Sequence, residues 1–548
     1  MKLSALLISN FKGIGDEITI LIDDIVVLIG PNNCCKSSVL DAYEAYVSLG
    51  KECSLDYFHN HDAGIPIVLT GIFTGVTDED IEAIGKEWML TGDETFGDCA
   101  KFQIRWEEPE TKGTKYSFSN ETNDWKKGGA GGWDSILKSR LPTPIRINPN
   151  DETDYLEKVL KDLIAKSAKD KIKNDKSKLS KIIAEIDALA KEVETEISAD
   201  IGNLNAKIQI EVQKLFENIE VGFETGVGKF KPEDAIKDGS RFILKTNESS
   251  APLEHQGSGV QRAFLWSAIN AMCSEGKFKK GTTRVENEQA KVLLLDEPEI
   301  NLHPSVIRAA RKALYSLSEV EGWQVMCTTH SPVFIDLTYD HTTLIKVSNS
   351  PEGVYHFQTD ASAFSDEEKE NLKMLNKCCP TVNEFFFYEN SLLVEGDTEY
   401  LAYQYLIEKA GLEASHCVIN CRGKANIPTF IKIFNQFEAS AVAIHDLDTK
   451  LRTDGKANAM WTINHRIREE ANNADGRVVT VVHNPDFEGF YLDESPTKDK
   501  PYNMFTHLTS PDFLTDNKYE KLRNSLTNIN DGTHEGIYVH GDKIEAMA

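Results

Sequence analysis

The chain has 548 residues, enough for roughly two to four domains with cores of their own. Its 40% hydrophobic and 27% charged residues describe a soluble globular protein. A net charge of −27 excludes a surface coated for general nucleic-acid affinity, though not a local basic groove or an acid cluster meant for cations. No apolar run approaches the ~20 residues of a membrane span, and the first residues, MKLSALLISNFKG, lack a signal-peptide cleavage pattern. A cytoplasmic location without membrane contact is therefore expected. The ten cysteines include the neighbours Cys34-Cys35 and Cys378-Cys379 but no paired CxxC, which argues against a zinc site or disulfide framework.

Residues 1–150 alternate strand-like runs (2–8, 18–22, 26–29, 66–73, 101–106) with a helix over 36–49, as in the first half of an α/β lobe. The run 26–29 feeds GPNNCCKSS. A phosphate-binding loop needs inward backbone N–H groups, a Lys for the outer phosphates and a hydroxyl for Mg²⁺, spaced G-x-x-x-x-G-K-S/T. Gly30, Lys36 and Ser37 are in register, with Asn33 and Ser38 beside them, but Cys35 replaces the second glycine. If φ is positive there, the Cβ costs roughly 1–2 kcal/mol and puts fast hydrolysis in doubt. Upstream, Asn10-Phe11-Lys12 resembles the N-F-R/K element of SMC-like ATPases, in which the basic residue approaches the nucleotide. The glycine-rich 126–133 has no apolar period and reads as a loop.

From 151 to 220 apolar residues from Leu179 to Ile219 recur close to the helical repeat, with Lys and Glu between them. This predicts a long amphipathic helix or hairpin inserted into the lobe. A packed domain is one reading; a dimerisation arm is favoured, because so long a seam needs a partner.

Residues 221–360 return to strands, including 241–246, and carry three further segments. The first is HQGSGVQRAF, in which Ser258, Gly259 and Gln261 resemble the signature motif of ABC and SMC ATPases; a capped Gly-Ser turn is the simpler reading. The second, KVLLLDEPEINLHP, is a buried-strand run ending in Asp296 and Glu297. Strands commonly end in acids on reaching solvent, but at such a strand end one acid can hold Mg²⁺ while its neighbour orients water. The third is QVMCTTHSP, whose His330 falls where the same ATPases keep a switch histidine.

Residues 361–385 read as a charged helical connector, and 386–548 as a second α/β unit. Its strands end in acids: Glu395 and Glu399 in EGDTE, Asp446 and Asp448 in DLD, and Glu488 in NPDFEGF. Each alone is an ordinary surface residue. Together they make a hard-oxygen set suited to Mg²⁺ or Mn²⁺, and two such ions can drive phosphodiester hydrolysis.

EGDTE with DLD resembles a Toprim domain, and the order of SMC-like ATPase lobe, helical insertion and carboxyl-terminal Toprim unit resembles the OLD (overcoming lysogenisation defect) family. That resemblance implies metal binding by Glu395, Glu399, Asp446, Asp448 and Glu488, with a lysine beyond the last acid: Lys500 is the best match and Lys498 the alternative. It further implies ATP at Lys36 and Ser37, an Asp296 partner for Mg²⁺, Glu297 as base, and His330 as γ-phosphate sensor. A homodimer or higher oligomer acting on DNA, as an ATP-gated endonuclease of anti-phage defence, follows as an expectation. A defence partner such as a retron reverse transcriptase with its RNA–DNA product is a further one. The competing classes are an SMC-like DNA clamp with an inactive Toprim unit and a Toprim topoisomerase or primase-like enzyme; a topoisomerase needs a nucleophilic Tyr on a separate DNA-binding module, and no such module is evident.

Overall fold

The computed structural model describes residues 1–128, 137, 141–148, 242–245, 250–274 and 291–532, apart from 321–322, 337, 340–341, 351–352, 360–363, 379–381, 453, 485 and 494–497. The helical insertion expected over 151–220 lies outside the described residues. The chain divides into two units, Met1–Pro149 with Phe278–Ala548, and Asn150–Lys277.

In the first unit, a mixed sheet runs Gly353–Thr359, Thr342–Ser350, Ile25–Ile29, Trp323–Thr328, Lys291–Asp296, Thr143–Ile147. All neighbours are parallel except the hairpin of the first two. The central strand Ile25–Ile29 is buried at every position, as expected of a strand covered on both faces. Register sets Asp296 opposite Thr328 and Thr328 opposite Leu28, so both acid-bearing and hydroxyl-bearing strand ends reach the edge where Gly30 begins its loop.

A second sheet is antiparallel, in the order Ile18–Leu21, Lys2–Ser9, Ile67–Thr74, Gly97–Trp106, Thr114–Ser119, Asp124–Lys127, with Leu90–Asp93 paired beside Gly97–Trp106. Helix Lys36–Val47 shares one core with both sheets. Tyr43 and Tyr46 are fully buried in a cluster with Phe73 and Phe102 of the antiparallel sheet and Val26, Val292 and Met326 of the mixed one. The Tyr46 hydroxyl donates to the Phe102 carbonyl at 3.1 Å. Lys126 and Lys127 belong to the last strand rather than to the glycine-rich loop, because Trp125 packs edge-on against Phe118 of the neighbouring strand.

The carboxyl-terminal part is a four-stranded parallel sheet, His416–Asn420, Asn390–Val394, Ala441–Asp446, Val478–His483. Helices Asp397–Ala410, Lys500–Leu508 and Glu520–Asn530 share its larger core, and Ile427–Gln436 packs with Ala459–Asn472. Sequence reading starts the first strand at Phe387, but Val382–Phe387 is a 3-10 helix. The adjacent Phe385 and Phe386 are both buried, packed on Phe434 and Phe437. Helix Asp366–Cys378 precedes it. Among the described residues no helix is long and apolar enough to cross a membrane.

The second unit, described by itself, pairs Ile243–Lys245 with Ser250–Pro252 and continues into helix Ser258–Ser274.

Candidate nucleotide loop and acid cluster

The loop after Ile25–Ile29 bends through three positive-φ residues, Gly30 (144°), Asn33 (62°) and Cys35 (72°). At Gly30 a Cβ would collide with the Val347 carbonyl, so that glycine is required. At Cys35 the left-handed backbone exists without a glycine, and the sulfur lies against Gly13, leaving no room for a Cβ there. Helix Lys36–Val47 starts with no side-chain cap and no acid in its first turn, so its positive end is left for an anion. Lys36, buried, folds back onto the carbonyls of Gly30 (3.1 Å) and Pro31 (2.7 Å). These features fit a phosphate group.

Ser37 donates to Asp296 at 2.9 Å across 259 residues of sequence, and Thr328 donates to the same oxygen at 2.5 Å. Glu297 turns off the strand with φ 47°, its N–H held by the Thr328 hydroxyl at 3.0 Å. His330 Nε2 stands 3.5 Å from Glu297 Oε1 and is buried without a hydrogen bond. Burial and the Lys36 charge push His330 below its usual range, against the pull of Glu297 and Asp296. Lys12, with φ 51°, pairs with Asp41 at 2.5 Å and lies over Tyr57, so this basic residue faces the helix that follows the loop. Ser38 is the third residue of that helix.

Two residues escaped sequence reading here. Arg146 bridges Asp296 and Asp41, each at 3.4 Å. Glu299 accepts the His330 N–H at 2.6 Å, and burial raises its carboxyl. Their only signal was a charged residue inside an apolar run and a third acid in DEPE. Ser258, Gly259 and Gln261 lie on the first turn of their helix in the other unit, where Gln261 is buried and Ser258 exposed.

The acid cluster forms where the parallel strands of the last sheet end. Glu395 follows Val394, and one of its oxygens accepts the Asp446 N–H at 3.3 Å. Glu399 lies a turn into the helix, buried, its carboxyl raised to about 7 by burial and then by Glu395 and Glu488. Asp446 is raised to about 9, by burial first and then by Glu399, Glu395, Asp486 and Glu488. Leu447 is buried against Trp461 and Val482, which turns Asp446 and Asp448 to the other side. Glu488 is buried at the start of helix Phe487–Leu492, which Asp486 caps by accepting the Gly489 N–H at 2.8 Å.

Lys500 reaches Glu488 at 3.0 Å and Asp486 at 3.2 Å, and the net effect of these acids is to raise its ammonium above its usual range. Among the described residues Lys498 is held through its carbonyl, which accepts from Asn503 at 3.2 Å. Sequence reading passed over Asp486 and Lys424; the latter lies in CRGKAN, directly after a buried strand at the same sheet end.

Asp446 Oδ1 and Glu488 Oε1 are buried with no hydrogen-bond partner. Orphaned hard oxygens among mutually repelling acids fit a divalent cation. Among the described residues no three His, Cys, Asp or Glu side chains already stand as a closed ligand cage, so the acids would have to draw together on an ion.

Residues 1–157 and 145–335 match the AAA ATPase domain family, and residues 386–448 match the Overcoming lysogenization defect protein-like TOPRIM domain. The chain is 24% identical to the Old nuclease of Escherichia phage P2 over 588 residues, covering 100% of this chain and 93% of that protein. It is 25% identical to the Endonuclease GajA of Bacillus cereus (strain VD045), over 75% of this chain and 68% of that one. The OLD nuclease of Thermus scotoductus is 25% identical over 45% of this chain and 43% of its own length.

Proposed function

This chain belongs to the AAA ATPase domain family through residues 1–157 and 145–335 and carries an OLD-like Toprim domain, and from that premise we propose that it is an ATP-regulated, divalent-metal-dependent DNA endonuclease. The observation that carries the reading is the group of buried and half-buried acids at the ends of adjoining parallel strands, two of them with orphaned oxygens. The names of the three relatives, two nucleases and an endonuclease, support it.

Glu395, Glu399, Asp446, Asp448 and Glu488 would hold Mg²⁺ or Mn²⁺. When bound, such ions supply an activated water and neutralise the leaving oxygen of a phosphodiester. Lys500, 36% exposed beside Glu488, would face negative charge growing on the phosphate. At the other site Lys36 and Ser37 would take the phosphates of ATP, Asp296 its Mg²⁺, Glu297 would orient water and His330 would sense the γ-phosphate, with Lys12 and Asn33 flanking. Cys35, in place of the second loop glycine, would make turnover slow or absent.

ATP would act on cleavage through the joint between the two parts. Asn383 donates to the Ile335 carbonyl at 3.0 Å, just beyond His330. Phe385 and Phe386 pack on Phe434 and Phe437 in and beyond the helix that follows Lys424. A homodimer in which Ser258 of one copy faces the nucleotide of the other completes the reading, tested by mass in solution with and without ATP. The defence role rests on family resemblance; plaque counts with wild type and Glu395→Ala test it, and co-purification tests a retron-type partner. Metal-dependent plasmid cleavage that Glu395→Ala abolishes tests the central claim.

A further inference from the structure

Lys424 has no exposed side-chain surface, among acids that the partly exposed Lys500 also contacts. Its ammonium donates to two acceptors at opposite ends of one short turn: the Asp446 carbonyl at 2.5 Å and the Asp448 carboxylate at 2.5 Å. Asp448 is itself left-handed, with φ 63°, a conformation that needs outside support. The loop bearing Lys424 is braced in turn. The Gly423 N–H donates to the Glu395 carbonyl at 2.8 Å, Arg422 N–H to Asn420 at 2.9 Å, and the Asn426 amide to the Cys421 carbonyl at 2.8 Å. One loop thereby ties the Glu395 strand end to the Asp446–Asp448 turn.

We infer that Lys424 is a positioning residue of the acid cluster: its buried ammonium clamps the Asp446–Asp448 turn and so sets where those carboxylates meet a divalent cation. It differs in kind from Lys500. A fully buried ammonium already committed to Asp446 and Asp448 does not reach DNA, whereas Lys500 is partly exposed at the rim. Lys424 therefore acts on cation binding and not on substrate binding. The inference rests on the metal-dependent reading above and deepens it.

The test uses the full chain and its Lys424→Met and Lys424→Arg variants. Each is titrated with Mn²⁺ by calorimetry, and plasmid cleavage is followed against Mn²⁺ and against DNA concentration. Lys424→Met should weaken Mn²⁺ binding by about tenfold or more, raise the half-saturating Mn²⁺ for cleavage to match, and leave KM for DNA within about twofold. Lys424→Arg, which keeps a cation with a different reach, should fall between Lys424→Met and wild type. Wild-type Mn²⁺ affinity in Lys424→Met overturns the inference, as does tighter binding, which would make the lysine a competitor for Asp448. So does a change confined to KM for DNA. If Lys424→Met does not fold, Lys424→Arg decides: weaker Mn²⁺ binding supports the clamp and unchanged binding overturns it. Wild-type protein that binds no Mn²⁺ removes the nuclease reading and the clamp with it, whereas unchanged variants beside a binding wild type remove the clamp alone.

Discussion

His330 and Phe387 face each other across the joint between the ATPase lobe and the acid-bearing sheet, ring centroids 6.2 Å apart. His330 lies beside Glu297, and Phe387 closes the 3-10 segment whose Phe385 and Phe386 rest on the helix following Lys424. A change at the histidine therefore has a packed route toward the cluster.

Phe387→Ala should break that route. It should cost about 2 kcal/mol of stability, less than a fully buried Phe because the ring is half-buried. ATP binding and nucleotide-free cleavage should stay within about twofold, while the effect of ATP on cleavage disappears. Cleavage assays with and without ATP check this, and a full ATP response in the variant would rule the route out.

Cys35 and Gly13 form a second testable pair, since a Cβ on Gly13 has no room beside the sulfur. Gly13→Ala should cost about 1–3 kcal/mol in the native background and clearly less with Cys35→Gly, a coupling that a double-mutant cycle measures. Cys35→Gly alone relieves roughly 1 kcal/mol of left-handed strain and loses a similar amount to unfolded-chain entropy, so stability should barely change. ATP turnover, followed by phosphate release, should rise. Additive energies with unchanged turnover would dismiss this account of the loop.

The connector offers a pH test away from both sites. Glu368 accepts from Lys432 at 2.7 Å and from the Ser365 N–H at 2.9 Å. Burial opposes these bonds, but the carboxyl still ends below its usual range. A lowered folded-state pKa stabilises above the unfolded value and is lost as pH falls through the folded one. Glu368→Gln should therefore cost about 1–3 kcal/mol at pH 7 and progressively less below pH 4, read by thermal unfolding. An equal cost at both pH values would show that the pairing contributes nothing.

Much of the candidate site was legible because its acids sit at strand ends, where a buried apolar run stops and the next side chain must meet ligand or solvent. The Asp296–Glu297 and Asp446–Asp448 ends were found that way, and the positive φ feared at Cys35 is present. Lys424 was missed because the same rule was applied to acids and not to a cation. Arg146 was missed because its partners, Asp41 and Asp296, lie on other elements and only the sheet register brings them together. Phe387 was read as strand because apolar content alone does not separate a short strand from a helical turn. The lysine choice between Lys498 and Lys500 needed the fold, since both follow Glu488 by similar distances and only Lys500 begins a helix that points it back.

The most direct measurement is cleavage of supercoiled and linear DNA by the purified full chain in Mg²⁺ or Mn²⁺, with and without ATP, beside Glu395→Ala. The account predicts metal-dependent cleavage that changes with ATP and falls more than about a hundredfold in the variant. Equal cleavage by both proteins, or none by wild type under any of these conditions, would contradict it.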